Sequence, residues 1–283
     1  MRIAMIGAGN AASSLAPALA RAGGDVVQVY SRTLRSAARL AAALGCGATD
    51  DLGRVVADAD VYIVALKDGA VAGVLPRLCK GREDKVFLHT AGSLPMGVFE
   101  GLAVHYGVLY PMQTFTRERP LDFGGIPCFV EGSDDAALGT AEALARGISG
   151  RVYRLGSEER RHLHLAAVFA CNFANRCYGM AAEILERRGI PFDVMLPLID
   201  ETARKVHYMS PREAQTGPAV RYDAGVIGAQ SALLAGSPDL RRIYDAMSES
   251  IHNAAVEADK GGADKQTSDK QTSKQADKQT SNR

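Results

Sequence analysis

The stretch MRIAMIGAGNAASSLAPAL, residues 1–19, decides the fold of this chain. Its apolar run predicts a buried strand, and the segment after the glycines predicts a helix. Gly7 and Gly9 begin the pattern G-x-G-x-x-A, with Ala12 in place of a third glycine. Gly7 permits a tight turn, and Gly9 lets the backbone approach a pyrophosphate at the helix N-terminus. The alternative is a glycine turn that binds no ligand, but the strand–turn–helix placement favours a dinucleotide site, with Asn10 and Ala11 opening its helix.

The end of the second predicted strand distinguishes NAD(H) from NADP(H). A site for NAD(H) usually has an acidic residue there, which binds the ribose hydroxyls. This strand instead ends in Ser31, Arg32 and Thr33. A guanidinium and two hydroxyls can bind a 2′-phosphate, and no carboxylate repels it. The sequence therefore predicts NADP as the cofactor, with a solvated surface charge as the alternative interpretation of Arg32.

Strands alternate with Ala- and Leu-rich helices through the first half of the chain, which predicts an α/β fold with a doubly wound parallel Rossmann sheet. The predicted strands cover residues 2–7, 25–32, 60–66, 85–92, 106–112, 126–132 and 151–156. Ligands bind at the carboxyl ends of such strands. The residues predicted at this edge are Ala65, Leu66, Lys67, His89 and Thr90.

The second half of the sequence predicts an all-helical domain. Ser157 is a candidate N-cap for a long helix that ends near Arg188. Its many small residues suit close helix packing across a homodimer interface. We expect an NADP-binding domain at 1–156, a helical substrate and dimerisation domain at 157–259, and a disordered low-complexity tail at 260–283.

Composition restricts the classes of partner. The net charge of +1 gives no indication of nucleic acid or an anionic membrane as partner. The five cysteines form no C-x-x-C pair, so we expect reduced thiols in a cytoplasmic protein. No basic and apolar leader precedes the first strand, and no segment is apolar enough for a membrane span. We predict no metal site.

Several motifs together resemble one known family. They are GAGNAA, VYSRT, ALKD, HTAGS, YPMQTF, AAVFACNFAN and QTGPAVRYD. They look like the Rossmann-like NADP oxidoreductases that carry a C-terminal domain of unknown function. This family is related to pyrroline-5-carboxylate reductase, the 6-phosphogluconate and β-hydroxyacid dehydrogenases, and the deazaflavin-dependent NADP reductases. The resemblance implies a Rossmann domain followed by a helical domain, usually in a dimer, and it supplies no substrate.

One difference from the related dehydrogenases limits which residue can assist the chemistry. Those enzymes use a lysine and a nearby asparagine on the first helix after the Rossmann domain. The matching segment here, residues 157–178, contains Asn172 and Asn175, and no lysine occurs between Lys85 and Lys205. We therefore predict Asn172 as the group that polarises the substrate.

Helical spacing suggests which polar groups accompany Asn172. On an ideal helix His164 and Asn175 nearly eclipse, and Asn172 lies about 80° from His164. This stripe can face the nicotinamide, or it can form hydrogen bonds inside a dimer core. His89 is a second catalytic candidate, as a proton source near neutral pH, with a structural role as the equal alternative.

Three further residues are predicted to bind substrate. Tyr110 and Gln113 follow a short strand near the predicted cleft. Arg221 can bind a carboxylate with two hydrogen bonds, although an ion pair with Asp223 is the favoured interpretation. Together these features predict an oxidoreductase that transfers hydride between NADP(H) and a small C=O or C=N substrate. The alternatives are a non-catalytic NADP-binding dimer, serving as redox sensor or scaffold, and hydride exchange with a deazaflavin.

Overall fold

The computed structural model describes residues 1–117, 119 and 121–257. The predicted tail lies outside the described residues. The chain forms two compact units, which divide between Asn175 and Arg176. The domain boundary that the sequence places after Gly156 stays a prediction. Within the described part of the chain, no helix is both long enough and apolar enough to cross a membrane.

The first unit contains one sheet of eight strands, in the order β3-β2-β1-β4-β5-β6-β7-β8. The strands are β1 Arg2–Ile6, β2 Asp25–Tyr30, β3 Gly47–Thr49, β4 Val61–Val64, β5 Val86–His89, β6 His105–Pro111, β7 Cys128–Gly132 and β8 Val152–Arg154. The six strands from β3 to β6 in this order are parallel, which confirms the predicted Rossmann sheet. Two features were not predicted: the short strand β3, and the antiparallel pairing of β7 with β6.

Helices cover both faces of this sheet. They are α1 Asn10–Arg21, α2 Leu34–Leu44, α3 Asp68–Cys79 and α4 Asp135–Ile148. Ile3 and Met5 belong to the apolar core that includes residues of α1, α2 and α4, whereas Ala4 and Ile6 belong to the core that includes residues of α3. Because β1 is buried on both faces, its sequence is a continuous apolar run rather than an alternating one.

The long helix predicted from Ser157 is interrupted. It consists of α5 Ser157–Ala167, a π-helical segment Val168–Phe173 and α6 Ala174–Glu186. Gly156 is the N-cap, so the prediction of Ser157 as a capping residue was wrong. The Ser157 hydroxyl instead donates to Glu131 at 2.7 Å. The i→i+5 winding of the π segment takes more residues per turn than 3.6, so angles computed for a regular helix do not hold beyond it.

The second unit is helical in the part that the structure describes. After α6 it contains α7 Leu196–Lys205, α8 Pro211–Ala214, α9 Ala224–Leu233 and a helix over residues 238–257, which we call α10. Neither α7 nor α8 has a buried residue in the single chain. The large exposed apolar side chains of this unit are Ile184, Ile190, Val194, Leu196, Leu198, Val206, Tyr208, Met209, Tyr222, Val226, Leu233 and Met247.

Candidate active site

The turn between β1 and α1 has the geometry that a pyrophosphate requires. Gly7 has φ +125°, and a Cβ there would lie 2.2 Å from the carbonyl oxygen of Ala65. Only glycine fits this position. Gly9 is the N-cap of α1 without a side-chain cap, and a Cβ on it would meet no atom within 4 Å. The first N–H groups of α1 therefore lie behind an open approach, which fits a dinucleotide.

The three residues after β2 have different environments. The Ser31 N–H donates to Thr49 O at 3.1 Å, which anchors this backbone to β3. The Thr33 hydroxyl caps α2 by accepting from Ser36 N, and it donates to Ser36 Oγ at 2.9 Å. Arg32 is exposed and forms no ion pair with a described residue. Of the three side chains, the Arg32 guanidinium is thus the most available for a phosphate.

The strand ends beside the glycine turn are fixed by backbone hydrogen bonds. The Ala65 N–H donates to Ile6 O at 2.8 Å, and the Thr90 N–H donates to Val64 O at 3.2 Å. Leu66 is half-buried, and the exposed Lys67 is the N-cap of α3. These four predicted cofactor-binding residues therefore lie along one edge of the sheet, with their backbones held in place.

Arg117 is a neighbour of the glycine turn that the sequence did not indicate. Its Nη2 donates to Ala8 O at 3.0 Å, and its Nε is buried without a hydrogen-bond partner. The guanidinium thus brings a positive charge to the glycine turn from 109 residues away. The one available signal was its position in the loop after β6, at the carboxyl edge of the sheet.

His89 is unsuited to the role of proton source. The side chain is fully buried, its Nδ1 accepts from Ala91 N at 3.2 Å, and its ring packs on Phe99. Burial, together with the nearby charge of Arg160, lowers the pKa of His89 to about 4. The imidazole is therefore neutral near pH 7, which argues against His89 as the proton donor.

A cleft of about 630 Å³ opens in the first unit, a size typical of small-molecule sites. It connects the start of α1 with the loop after β6, with α5 and with the π segment. Its polar lining residues are Asn10, Tyr110, Gln113, Thr114, His164 and Asn172; its apolar ones are Ala11, Met112, Phe115, Leu163, Ala166, Ala167, Val168, Ala170 and Cys171. Six residues predicted for the site, Asn10, Ala11, Tyr110, Gln113, His164 and Asn172, thus line one cleft.

Two predicted substrate-binding residues do not line this cleft. Asn175 is exposed and absent from its wall, because the π segment changes the phase of the helix between His164 and Asn175. Arg221 is exposed and belongs to the second unit, so its role with a carboxylate stays a prediction. The favoured ion pair with Asp223 is not formed; Asp223 caps α9 by accepting from Val226 N at 3.1 Å.

A buried ion pair holds α5 against the sheet. Arg160 is fully buried, and its Nη1 donates to the Glu131 carboxylate. Its Nη2 donates to Leu94 O at 2.5 Å and to Ser157 Oγ at 3.2 Å. Glu131 also accepts from the Ser157 N–H at 3.0 Å. This network fixes the helix that carries His164 into the cleft.

Two family models match separate parts of this chain, and solved structures match most of it. Residues 2–91 match the family model "NADP oxidoreductase coenzyme F420-dependent", and residues 126–251 match "Domain of unknown function (DUF2520)". A crystal structure from Bacteroides fragilis, named a "putative NADP oxidoreductase", is 52% identical over 89% of this chain and 98% of that chain, with a TM-score of 0.86.

More distant solved structures share the fold. Protein TM1727 from Thermotoga maritima is 22% identical over 90% of this chain and 99% of its own, with a TM-score of 0.74. An imine reductase from Myxococcus stipitatus in complex with NADP+ is 18% identical over 93% of this chain and 95% of its own, with a TM-score of 0.63. A comparison with curated proteins finds no match.

Proposed function

The chain belongs to the family of NADP oxidoreductases that join a coenzyme F420-dependent NADP oxidoreductase domain to a C-terminal domain of unknown function, and we propose that it transfers hydride between NADP(H) and a small C=O or C=N substrate. NADP is the cofactor, and it supplies the hydride chemistry. The protein's own residues bind and orient the two reactants and provide the proton that accompanies the hydride.

One observation supports this proposal above the others: a single cleft is lined both by Asn10 and Ala11, at the N-terminus of α1, and by Asn172. A dinucleotide held by Gly7 and Gly9 would thus share the cleft with polar groups able to bind a heteroatom. We propose that Asn172 donates a hydrogen bond to that heteroatom. Its position in a π-helical segment is typical of functional sites.

The direct test is turnover. NADPH oxidation by the full-length protein should be screened by absorbance with cyclic imines and ketones, starting with 2-methyl-1-pyrroline and cyclohexanone. Reduction of a member of this panel well above the rate without enzyme supports the proposal. Tight NADPH binding without any turnover would instead support the non-catalytic NADP-binding dimer.

The choice of cofactor gives a sharper prediction. We expect NADPH to bind at least about tenfold more tightly than NADH, a difference of roughly 1.4 kcal/mol, because Arg32 can pair with the 2′-phosphate. Arg32→Asp should reverse this order, since a carboxylate repels the phosphate and accepts from the ribose hydroxyls. Both dissociation constants can be measured by titrating the nicotinamide fluorescence.

Arg39 provides a matched control for this prediction, because it is an exposed arginine within α2 itself. Arg39→Asp should leave the preference for NADPH in place. Equal affinities of the unmodified protein for the two dinucleotides would refute the role assigned to Arg32.

The family model that matches residues 2–91 favours a second candidate function, hydride exchange between NADP(H) and a deazaflavin. Mixing the protein with NADPH and coenzyme F420 should then bleach the deazaflavin absorbance. A positive result here, with no turnover in the imine and ketone panel, would favour this candidate over the first.

We also propose that the protein is a homodimer built mainly from residues after Gly156. The second unit exposes Leu198 (60%) and Leu233 (77%) in the single chain, among many other apolar side chains. Large apolar surfaces of this kind are typical of association sites. Light scattering at micromolar concentration should give twice the chain mass, and Leu198→Glu with Leu233→Glu should shift the mass towards the monomer. A monomeric unmodified protein would contradict the proposal.

A further inference from the structure

Two polar side chains on the cleft wall form a hydrogen-bonded pair. Tyr110 lies near the end of β6, and His164 lies on α5. The Tyr110 hydroxyl is 3.0 Å from His164 Nδ1, and the two rings meet edge to face. Both residues line the cleft together with Asn10 and Asn172. The pair thus faces the space in which the proposed hydride transfer takes place.

The surroundings hold this pair in a fixed geometry. A Cβ on Gly92 would lie 2.4 Å from His164 Nδ1 and 2.9 Å from Tyr110 Cζ, so a glycine in the HTAGS segment lets the two rings approach. Tyr110 is only 8% exposed and packs on Phe129. One helical turn before His164, the buried Arg160 anchors α5 to Glu131. Few rotamers are therefore open to either side chain.

We propose that Tyr110 is the proton donor to the substrate heteroatom and that His164 returns a proton to Tyr110 through Nδ1. This inference rests on the proposed hydride transfer between NADP(H) and a C=O or C=N group. It assigns to the pair a role that Asn172 does not fill, because an amide can donate a hydrogen bond but does not give up its proton near neutral pH.

The step balances for reduction of a ketone. The carbonyl carbon gains the hydride that NADPH supplies, NADPH is oxidised to NADP+, and the π electron pair moves to the oxygen. That oxygen takes the proton of the Tyr110 hydroxyl, and the phenolate takes the proton of His164 Nδ1 while His164 Nε2 takes a proton from solvent. The imidazole stays neutral throughout, and proton exchange with solvent then restores the proton on Nδ1. An imine follows the same course, with nitrogen in place of oxygen.

The electrostatics of the pair agree with this assignment. Burial raises the pKa of Tyr110, against the opposing effect of the Arg160 charge. The phenol is therefore protonated near neutral pH, as a proton donor must be before the reaction. None of the described residues that line the cleft is Asp, Glu, Lys or Arg. These lining residues therefore offer the substrate heteroatom no carboxylic acid or ammonium group as an alternative proton donor to Tyr110.

Binding of an inert carbonyl compound tests the donor without any turnover. The lactam 2-pyrrolidone presents a carbonyl oxygen that NADPH does not readily reduce, and its affinity for the full-length protein with NADPH can be measured by calorimetry. We expect Tyr110→Phe to weaken its binding about tenfold, the effect of one lost hydrogen bond. Tyr153→Phe is the matched control, because it removes a hydroxyl from an exposed tyrosine of β8.

Two reducible probes then separate proton donation from positioning. Cyclohexanone needs both hydride and proton, whereas the N-methyl-1-pyrrolinium ion needs hydride alone. We expect Tyr110→Phe to lower the turnover of cyclohexanone about a hundredfold and to leave reduction of the pyrrolinium within threefold. His164→Gln should lower cyclohexanone turnover and shift its pH profile. The exposed His162, two residues away on α5, provides the control His162→Gln.

The outcomes separate this inference from the proposed function. If 2-pyrrolidone does not bind, or binds Tyr110→Phe as tightly as the unmodified protein, Tyr110 is not the donor. An equal loss of cyclohexanone and pyrrolinium turnover in Tyr110→Phe also overturns the inference. If the lactam result holds but the unmodified protein reduces neither probe, the donor arrangement stands and the proposed hydride transfer to these substrates fails.

Discussion

Replacing Arg160 by leucine is expected to lower the free energy of unfolding by about 3–5 kcal/mol, as measured by chemical denaturation. Arg160 is fully buried, and its guanidinium pairs with Glu131 while donating to Leu94 O and Ser157 Oγ. Removing it leaves a mostly buried carboxylate without its counter-charge. The loss of stability is large because the charge of Glu131 stays mostly buried, where water cannot solvate it.

Two further variants identify the cause of this loss. Arg160→Leu combined with Glu131→Gln should recover part of the stability, because the unpaired charge disappears while an acceptor for Ser157 remains. Arg154→Leu removes an exposed arginine from its pair with Glu142, and we expect it to lower the free energy of unfolding by less than about 1 kcal/mol. If Arg160→Leu and Arg154→Leu lower the free energy of unfolding equally, the burial of Arg160 does not make its ion pair more important for stability.

Turnover should fall about a hundredfold in Asn172→Ala, the size typical of losing one preorganised donor. The affinity for NADPH should stay within about twofold, because Asn172 belongs to the π segment and not to the glycine turn or the end of β2, where we propose that the dinucleotide is held. The measurements are steady-state kinetics with a substrate from the imine and ketone panel, and fluorescence titration with NADPH. Asn253→Ala, which removes an exposed asparagine from α10, is the matched control.

Asn172→Ala also distinguishes the two interpretations of its helix. Normal turnover in this variant would show that the heteroatom binds elsewhere. A sharp fall in melting temperature or a loss of assembly would favour the structural interpretation, in which Asn172 forms hydrogen bonds within the protein. Asn175→Ala adds a comparison, because regular helical spacing assigns Asn175 to the site whereas the structure leaves it outside the cleft.

The local part of the site could be predicted from the sequence. Gly7, Gly9 and the apolar run before them specify a strand, a turn and a helix within a few residues, and at Gly7 both φ above zero and the close approach of Ala65 O demand glycine. The placement of Arg32 just after β2 also followed from a local pattern, and its role with a 2′-phosphate stays a prediction. The fold class followed from the alternation of strands and helices, which is also a local pattern. These features needed no knowledge of distant contacts.

Tertiary structure decided which distant residues meet at the cleft and at the glycine turn. Tyr110 and His164 are 54 residues apart, and Arg117 lies 109 residues from Ala8. Periodicity carries no information on such pairs. The first pair forms because α5 packs against the sheet, and the second because the loop after β6 meets the turn after β1. The burial of His89 and the π segment before Asn175 likewise depend on the surrounding core and on helix packing. The sequence by itself determined the dinucleotide turn and the sheet, whereas the identity of the proton donor depends on contacts that only the folded chain forms.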